Sequence, residues 1–294
     1  MSTTSTKRTV GLIGLGAMGR GAALNLLAQG FEVVGFDVRT DALDWLREQG
    51  GTPAPSLQQL AQNARIVICF VVNAAQTESV LYGEGGLVAL LPSGAVVITC
   101  STMDPSYVQD LAARLKSDGI DLVDAPVTGG AAGANKGTLT IMGSGDADAF
   151  EEARPALEAF GARVYHLGPA GAGAQMKVLN QLLCGVHLAA AGEALALAQR
   201  QGLPLATTLE ILCTGAAQSW MLADRGPRMI GGSFEGVTSA VDIFVKDMSL
   251  VLDATRETRF AAPLAHAAYL SFIKATARGL GAKDDSAVIT NYQS

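Results

Sequence analysis

The sequence predicts an α/β domain built on a parallel sheet with helices on both faces, followed by an all-helical domain. Three observations predict it. Short β-branched runs alternate with amphipathic stretches from Thr9 to about His166, the first run ends in a glycine-rich turn leading straight into a helix, and after Gly168 the chain reads as long helices. The 294 residues suffice for two domains, each with its own core. A chain that is 49% hydrophobic and 16% charged, with 34 glycines, folds as a whole; a disordered tail, a coiled coil and a disulfide-built miniprotein are excluded.

The elements follow in order. TVGLIG (9–14) is the first strand, with a helix to about Gln29, and FEVVGF (31–36) the second, with a helix to about Gln49. RIVICF (65–70), AVVITC (95–100) and IDLVDA (120–125) continue the sheet; their near-continuous apolar content suits strands covered on both faces. GTLTIMG (137–143) and ARVYHLG (162–168) extend it, with DADAFEEARPALEAF (146–160) as the helix between them. Helices are expected at about 170–201, 206–213, 239–258 and 263–277. The boundary is placed near Gly168–Pro169, giving domains of 1–168 and 169–294, with the long helix itself as a possible connector because no Pro/Ser-rich linker intervenes.

Charge and cysteine usage narrow the partners. A balance of 21 basic against 27 acidic residues, net −6, with no basic cluster, argues against nucleic acid. Cys69, Cys100, Cys184 and Cys213 lie apart in apolar runs and form no C-x-x-C pair, which suits reduced thiols and the cytoplasm. The opening MSTTSTKRTV lacks the apolar segment and cleavage site of an export signal. Val178 to Ala198 is the most membrane-like stretch, but Asn180, Gln181, His187 and Glu193 would be costly in hydrocarbon, so a buried helix of a soluble protein is expected and no membrane.

The first strand ends in Gly14-Leu15-Gly16-Ala17-Met18-Gly19. In this strand–turn–helix context G-x-G-x-x-G is a dinucleotide fingerprint: Gly14 permits the tight turn, Gly16 clears the way for a pyrophosphate, and Gly19 lets helix and strand pack closely. The helix start then offers free N–H groups and a positive dipole end to the phosphates. The domain is therefore read as a Rossmann-type doubly wound sheet binding NAD. Asp37 lies 18 residues beyond Gly19, near the spacing at which a carboxylate accepts from the adenine ribose hydroxyls; its other reading is a helix cap or turn residue. A carboxylate there repels a 2′-phosphate and favours NAD, while Arg39 nearby keeps NADP possible.

The reaction needs a proton-transfer group. No metal-ligand spacing occurs, His166, His187 and His266 are isolated, and no G-x-S-x-G elbow supports serine hydrolysis. Of seven lysines only Lys177 is embedded in apolar sequence, and at helical spacing it shares a narrow polar stripe with Asn180, Gln181 and Cys184. By pattern alone Lys177 either carries its charge to solvent or stands beside a cofactor as a general acid/base. In SAVDIFVKDMSLVLD the apolar face is Val241, Phe244, Val245, Met248 and Val251, and periodicity reads Lys246 as a surface ion pair with Asp242.

GLIGLGAMG, CSTMDP (100–105), DAPVTGG (124–130), GAGAQMKVLNQ (171–181) and FVKDMSLV (244–251) occur in one order along nearly the whole chain. In this combination the sequence resembles the β-hydroxyacid dehydrogenase family, related to 3-hydroxyisobutyrate and 6-phosphogluconate dehydrogenases. The resemblance implies hydride transfer between NAD(P) and a small hydroxy acid. It makes Lys177 the catalytic lysine and Asn180 the residue that orients substrate, with Thr128, Gly129 and Gly130 as the substrate loop. Val72, Thr102, Lys246 and Asp247 join Gly14 to Gly19 and Asp37 as cofactor contacts. Thr128 stands where the family usually has serine and Gln181 where it often has a second asparagine; both departures bear on the substrate.

Within the family, QLLCGVHLAAAGEALALA, QSWM (218–221) and SAVDIFVKDMSLVLD are most similar to the branch that oxidises L-threonate, a four-carbon sugar acid, at C2. Beyond Arg225 and Arg228 there is no arginine cluster for a substrate phosphate. The alternatives are a reductase of tartronate or succinic semialdehyde, a 3-hydroxyisobutyrate dehydrogenase and, more remotely, a non-catalytic dinucleotide sensor; Lys177 argues against an imine reductase. The apolar length of the helix after Lys177 implies a homodimer or homotetramer.

Overall fold

The computed structural model describes residues 8–293, so the reading of the first seven residues lies outside the described part. The chain divides into two compact units, residues 1–177 and 178–294.

In the first unit, strands β1 (Thr9–Ile13), β2 (Glu32–Phe36), β3 (Thr52–Pro53), β4 (Ile66–Cys69), β5 (Val96–Thr99), β6 (Asp121–Asp124), β7 (Val127–Thr128), β8 (Leu139–Gly145) and β9 (Gly161–His166) join in one sheet. The order is β3-β2-β1-β4-β5-β6-β8-β7, with β9 paired to β8. The stretch from β3 to β6 is parallel, as the apolar runs predict. Beyond it β8 runs antiparallel to β6 and β7, because β7 and the short helix α6 (Gly130–Lys136) turn the chain back before β8 enters. That reversal is a departure from a wholly parallel sheet.

Alternation along the strands feeds two cores. Val10 and Leu12 of β1 with Ile68, Val96 and Ile98 pack beneath helices α1 (Ala17–Ala28), α2 (Thr40–Glu48) and α7 (Ala147–Phe160). Ile13, Val67, Cys69 and Val97 face the other way, toward α3 (Leu57–Asn63), α4 (Ala74–Tyr82) and α5 (Pro105–Ser117). Helices on both faces are what doubly wound means. The local starts are also written in sequence: Ser56, Asn73 and Asp104 cap α3, α4 and α5 through their side-chain oxygens.

Helix α8 (Ala172–Arg200) is 29 residues long and apolar enough by length and composition to cross a membrane, but half of its most apolar stretch is buried within the protein. Its polar residues Lys177, Asn180 and Gln181 hydrogen-bond within the protein.

The second unit adds α9 (Leu205–Thr214), α10 (Trp220–Gly231), α11 (Val241–Glu257) and α12 (Pro263–Ala275) around Leu188, Leu195, Met229, Phe244, Met248 and Phe272. The helix at 220–231 is absent from the sequence reading because Gly226 and Pro227 interrupt its pattern; Ser219 caps it and Pro227 is accommodated inside it. A 3₁₀ segment, Asp285–Asn291, closes the chain against this core.

Candidate active site

The glycine loop after β1 is fixed by backbone conformation. Gly14 has φ +87, a region that L side chains rarely adopt, and a Cβ there would lie 2.4 Å from Phe70 O. A Cβ on Gly19 would lie 1.8 Å from Gly14 O, so helix and strand touch only because both positions lack side chains. Gly16 differs: nothing lies within 4 Å of where its Cβ would be. It is the residue before α1, and no side chain caps that helix. Open space in front of uncapped N–H groups fits a pyrophosphate.

Asp37, just after β2, closes the loop from the side. Its Oδ2 accepts from Leu15 N–H at 2.7 Å and its Oδ1 from Arg39 N–H at 2.9 Å. Burial pushes this carboxyl up, but hydrogen bonds from Arg39 and Leu15 outweigh it and hold the group below its ordinary range. The Arg39 guanidinium is committed to Asp37 and, through a 3.1 Å bond, to Leu15 O.

Val72 and Thr102 follow β4 and β5, so with Gly14 and Asp37 they stand at the carboxyl ends of four adjacent strands. Ligands of open α/β sheets bind outside those ends. Val72 is exposed and its N–H donates to Gln76 Oε1 at 2.8 Å; Ser101 Oγ donates to Val71 O at 2.7 Å and ties the two loops together. A groove of about 610 Å³ lined by Thr9, Gly30, Glu32, Thr52, Gln59 and Asn63 lies at the amino ends instead, away from every candidate residue.

The next strand ends carry Thr128, Gly129 and Gly130, the loop expected to receive substrate. Thr128 ends β7, and Gly129 and Gly130 follow with φ +125 and +62, conformations that favour glycine. Lys177 is buried, 8% exposed, and its Nζ donates to Val127 O at 2.8 Å, one residue before Thr128. The amine is thus brought next to the Thr128–Gly130 loop.

In the second unit α8 meets α11. Asn180 Nδ2 donates to Gln181 Oε1 at 2.8 Å and to Cys184 Sγ at 3.4 Å, and Gln181 Nε2 donates to Asp247 Oδ2 at 2.5 Å. Lys246 Nζ lies 2.6 Å from Asp247 Oδ1. The expected pair with Asp242 gives way to this one: Asp242 instead accepts from Thr276 Oγ1 at 2.7 Å. Periodicity missed that Asp247 belongs to the buried face, where it is 3% exposed.

Other side chains serve locally. His166 stacks on Phe150 and reaches Gly145 O, and His266 bonds Ala262 O. Arg225 is bonded by Nε and Nη2 to both oxygens of Asp285, and Arg228 to Asp284 and Asp224. Neither arginine is available to a phosphate. Sequence reasoning missed Asp124 and Ser144, which are fully buried and accept N–H bonds from the start of α8. An acid ending an apolar strand, as in IDLVDA, was the signal for the first.

The family model for the NAD-binding domain of 6-phosphogluconate dehydrogenase matches residues 9–168. The model described as the NAD-binding of NADP-dependent 3-hydroxyisobutyrate dehydrogenase matches 171–292. An L-threonate dehydrogenase of Cupriavidus necator is 44% identical over 96% of this chain and 95% of that enzyme. Its counterpart from Haemophilus influenzae is 41% identical over 96% of this chain and 94% of its own length. The crystal structure of a 3-hydroxyisobutyrate dehydrogenase from Salmonella typhimurium superposes with a TM-score of 0.92 at 40% identity, covering 97% of this chain and all of that one.

Proposed function

The chain belongs to the 3-hydroxyisobutyrate dehydrogenase-like family of NAD(P)-dependent hydroxyacid dehydrogenases, and from that premise we propose that it oxidises L-threonate to 2-oxo-tetronate with Lys177 as general acid/base. The observation that carries the reading is the buried Lys177 amine, held 2.8 Å from Val127 O at the entrance to the Thr128–Gly130 loop. NAD(P)⁺, when bound, supplies the hydride acceptor.

The chain's own residues do the rest. Gly14 to Gly19 and Asp37 hold the cofactor, with Val72, Thr102, Lys246 and Asp247 as further contacts. The Thr128 hydroxyl and the N–H groups of Gly129 and Gly130 receive the substrate carboxylate. Lys177 takes the hydroxyl proton as the carbinol carbon is oxidised and returns it in the reverse direction. Asn180, one turn along the same helix, keeps the hydroxyl in register; its amide is already oriented by Gln181 and Cys184. A small unphosphorylated acid suits a chain whose Arg225 and Arg228 are bonded to aspartates. An ionised Asp37 supports NAD over NADP.

We also place the chain in the cytoplasm as a homodimer or homotetramer. Met176, Leu179, Leu183 and Leu197 recur at helical spacing along one exposed line of α8, with Leu179 58% exposed, and a second copy would cover them. Sedimentation at micromolar concentration as a single 30.2 kDa species would sink that assembly.

The deciding experiment compares Lys177→Ala with wild type across L-threonate, D-threonate, glycerate and 3-hydroxyisobutyrate, following NADH production. The expected result is fastest turnover of L-threonate and a loss of about 10²–10⁴-fold in the variant with NADH affinity kept. Near-wild-type turnover by the variant removes Lys177 from the reaction; a faster rate on another acid replaces the substrate and leaves the lysine.

A further inference from the structure

A buried polar row crosses the sheet beneath the start of α8. Thr99 pairs in register with Asp124, and Asp124 with Ser144, so the three side chains stand abreast on one face. All three are 0% exposed. Such a row is costly in an apolar interior unless something bonded to it makes use of it.

Thr99 Oγ1 and Asp124 Oδ1 are buried with no hydrogen-bond partner among the described residues, whereas for Asp124 Oδ2 and Ser144 Oγ that user is the first turn of α8. Its preceding residue, Gly171, has φ +92 and no side chain, so it cannot offer the oxygen that normally closes the free N–H groups of a helix start. The sheet supplies the oxygens instead. Gly173 N–H donates to Ser144 Oγ at 3.0 Å, Ala174 N–H to Asp124 Oδ2 at 2.8 Å, and Ser144 Oγ to that same carboxylate oxygen at 3.1 Å. The approach leaves no room for adjustment: a Cβ on Gly173 would lie 2.3 Å from Met142 O and 2.9 Å from Asp124 Oδ2.

Lys177 follows Ala174 by three residues and so shares its face of the helix. Its amine reaches Val127, which follows Asp124 by three residues. The segment from Asp124 to Val127 therefore grips α8 twice, at the backbone of its first turn and at the tip of the lysine.

We infer that Asp124, supported by Ser144, is a positioning residue that caps α8 from the sheet and so sets the height and rotation at which Lys177 presents its amine. The inference rests on Lys177 being the acid/base group. Asp124 Oδ2 is bonded to Ala174 N–H and Ser144 Oγ, whereas the glycine loop and Asp37 are held by other bonds.

The test uses the full-length enzyme with whichever of the four acids it oxidises fastest. Asp124→Ala should lower kcat by about 30- to 100-fold, the effect of an ångström-scale misplacement, with KM for the acid and NADH affinity by fluorescence within about threefold of wild type. Asp124→Asn, whose amide oxygen still accepts the Ala174 N–H, should recover to within about fivefold of wild type. On the Lys177→Ala background, Asp124→Ala should change the residual rate by less than about twofold, because the group it positions is gone.

Wild-type kcat in Asp124→Ala overturns the proposal, and so does an equal loss on both backgrounds. Should Asp124→Ala fail to bind NADH, Ser144→Ala decides: a several-fold loss of kcat at unchanged NADH affinity supports the cap, and unchanged kcat refutes it. The Lys177→Ala single variant keeps the two readings apart. If it is inactive while Asp124→Ala is not, the cap falls alone; if it is active, the lysine assignment falls first.

Discussion

The glycine loop after β1 and the polar row beneath α8 perform the same task in opposite ways. Each seats the first turn of a helix against the carboxyl end of a strand. At α1 this is done by removing side chains: Gly14, Gly16 and Gly19 let backbone approach backbone and leave the helix N–H groups open. At α8 it is done by adding them: Asp124 and Ser144 come from 50 and 29 residues away and occupy the N–H groups of the first turn. The open start is suited to an anion from outside, and the filled one to holding a side chain three residues further along.

That contrast can be broken most sharply at the glycines. Gly19→Ala drives a Cβ into Gly14 O, so NADH affinity should fall by about 100-fold or more and thermal stability with it. Gly16→Ala meets nothing within 4 Å, so stability should hold while NADH affinity falls by about tenfold. Calorimetry and fluorescence titration of both variants check this. Equal stability losses would mean that Gly16 is a packing residue and that the open space in front of it has no ligand.

A smaller effect sharpens the same loop. Asp37→Asn can still accept the Leu15 N–H but no longer repels a 2′-phosphate, and it frees Arg39 from its ion pair. The ratio of kcat/KM for NADP to that for NAD should rise by about tenfold. An unchanged ratio would show that cofactor choice is made elsewhere.

The two regions also differ in how far the sequence discloses them. The fingerprint, the strand runs and the helices at 172–200, 205–214 and 263–275 could be read because backbone conformation and short-range periodicity are local properties. The polar stripe of α8 was legible for the same reason. Asp124's cap on Ala174 was not, since nothing local marks which distant N–H a buried acid meets. Asp247 failed in the same way: its partner Gln181 is 66 residues away, and the apolar repeat of α11 gave no reason to bury a carboxylate. The reversal of β8 against β6 was hidden too, because β7 and α6 are too short to carry a period of their own.

The least dramatic test of the comparison is a pH dependence. Burial raises the Asp124 carboxyl from its usual range to about 7, against the opposing hydrogen bonds from Ala174 and Ser144. A carboxyl whose pKa is raised by folding binds its proton more tightly in the folded state. Its contribution to stability is therefore complete below the ordinary carboxylate range and is lost as pH rises toward 7, then stays flat. Asp124→Asn has no such proton to lose. Measured by urea denaturation from pH 5 to pH 8, wild type should lose stability relative to the variant by an amount on the order of 1 kcal/mol or more, because each tenfold gain in proton affinity on folding is worth about 1.4 kcal/mol. Asp37 is held on the other side of its ordinary range, so Asp37→Asn should show no relative change across that interval. A wild-type-minus-Asp124→Asn difference that stays constant with pH would mean that the row beneath α8 keeps its charge as readily as Asp37 does, and the distinction between an open and a filled helix start would lose its electrostatic half.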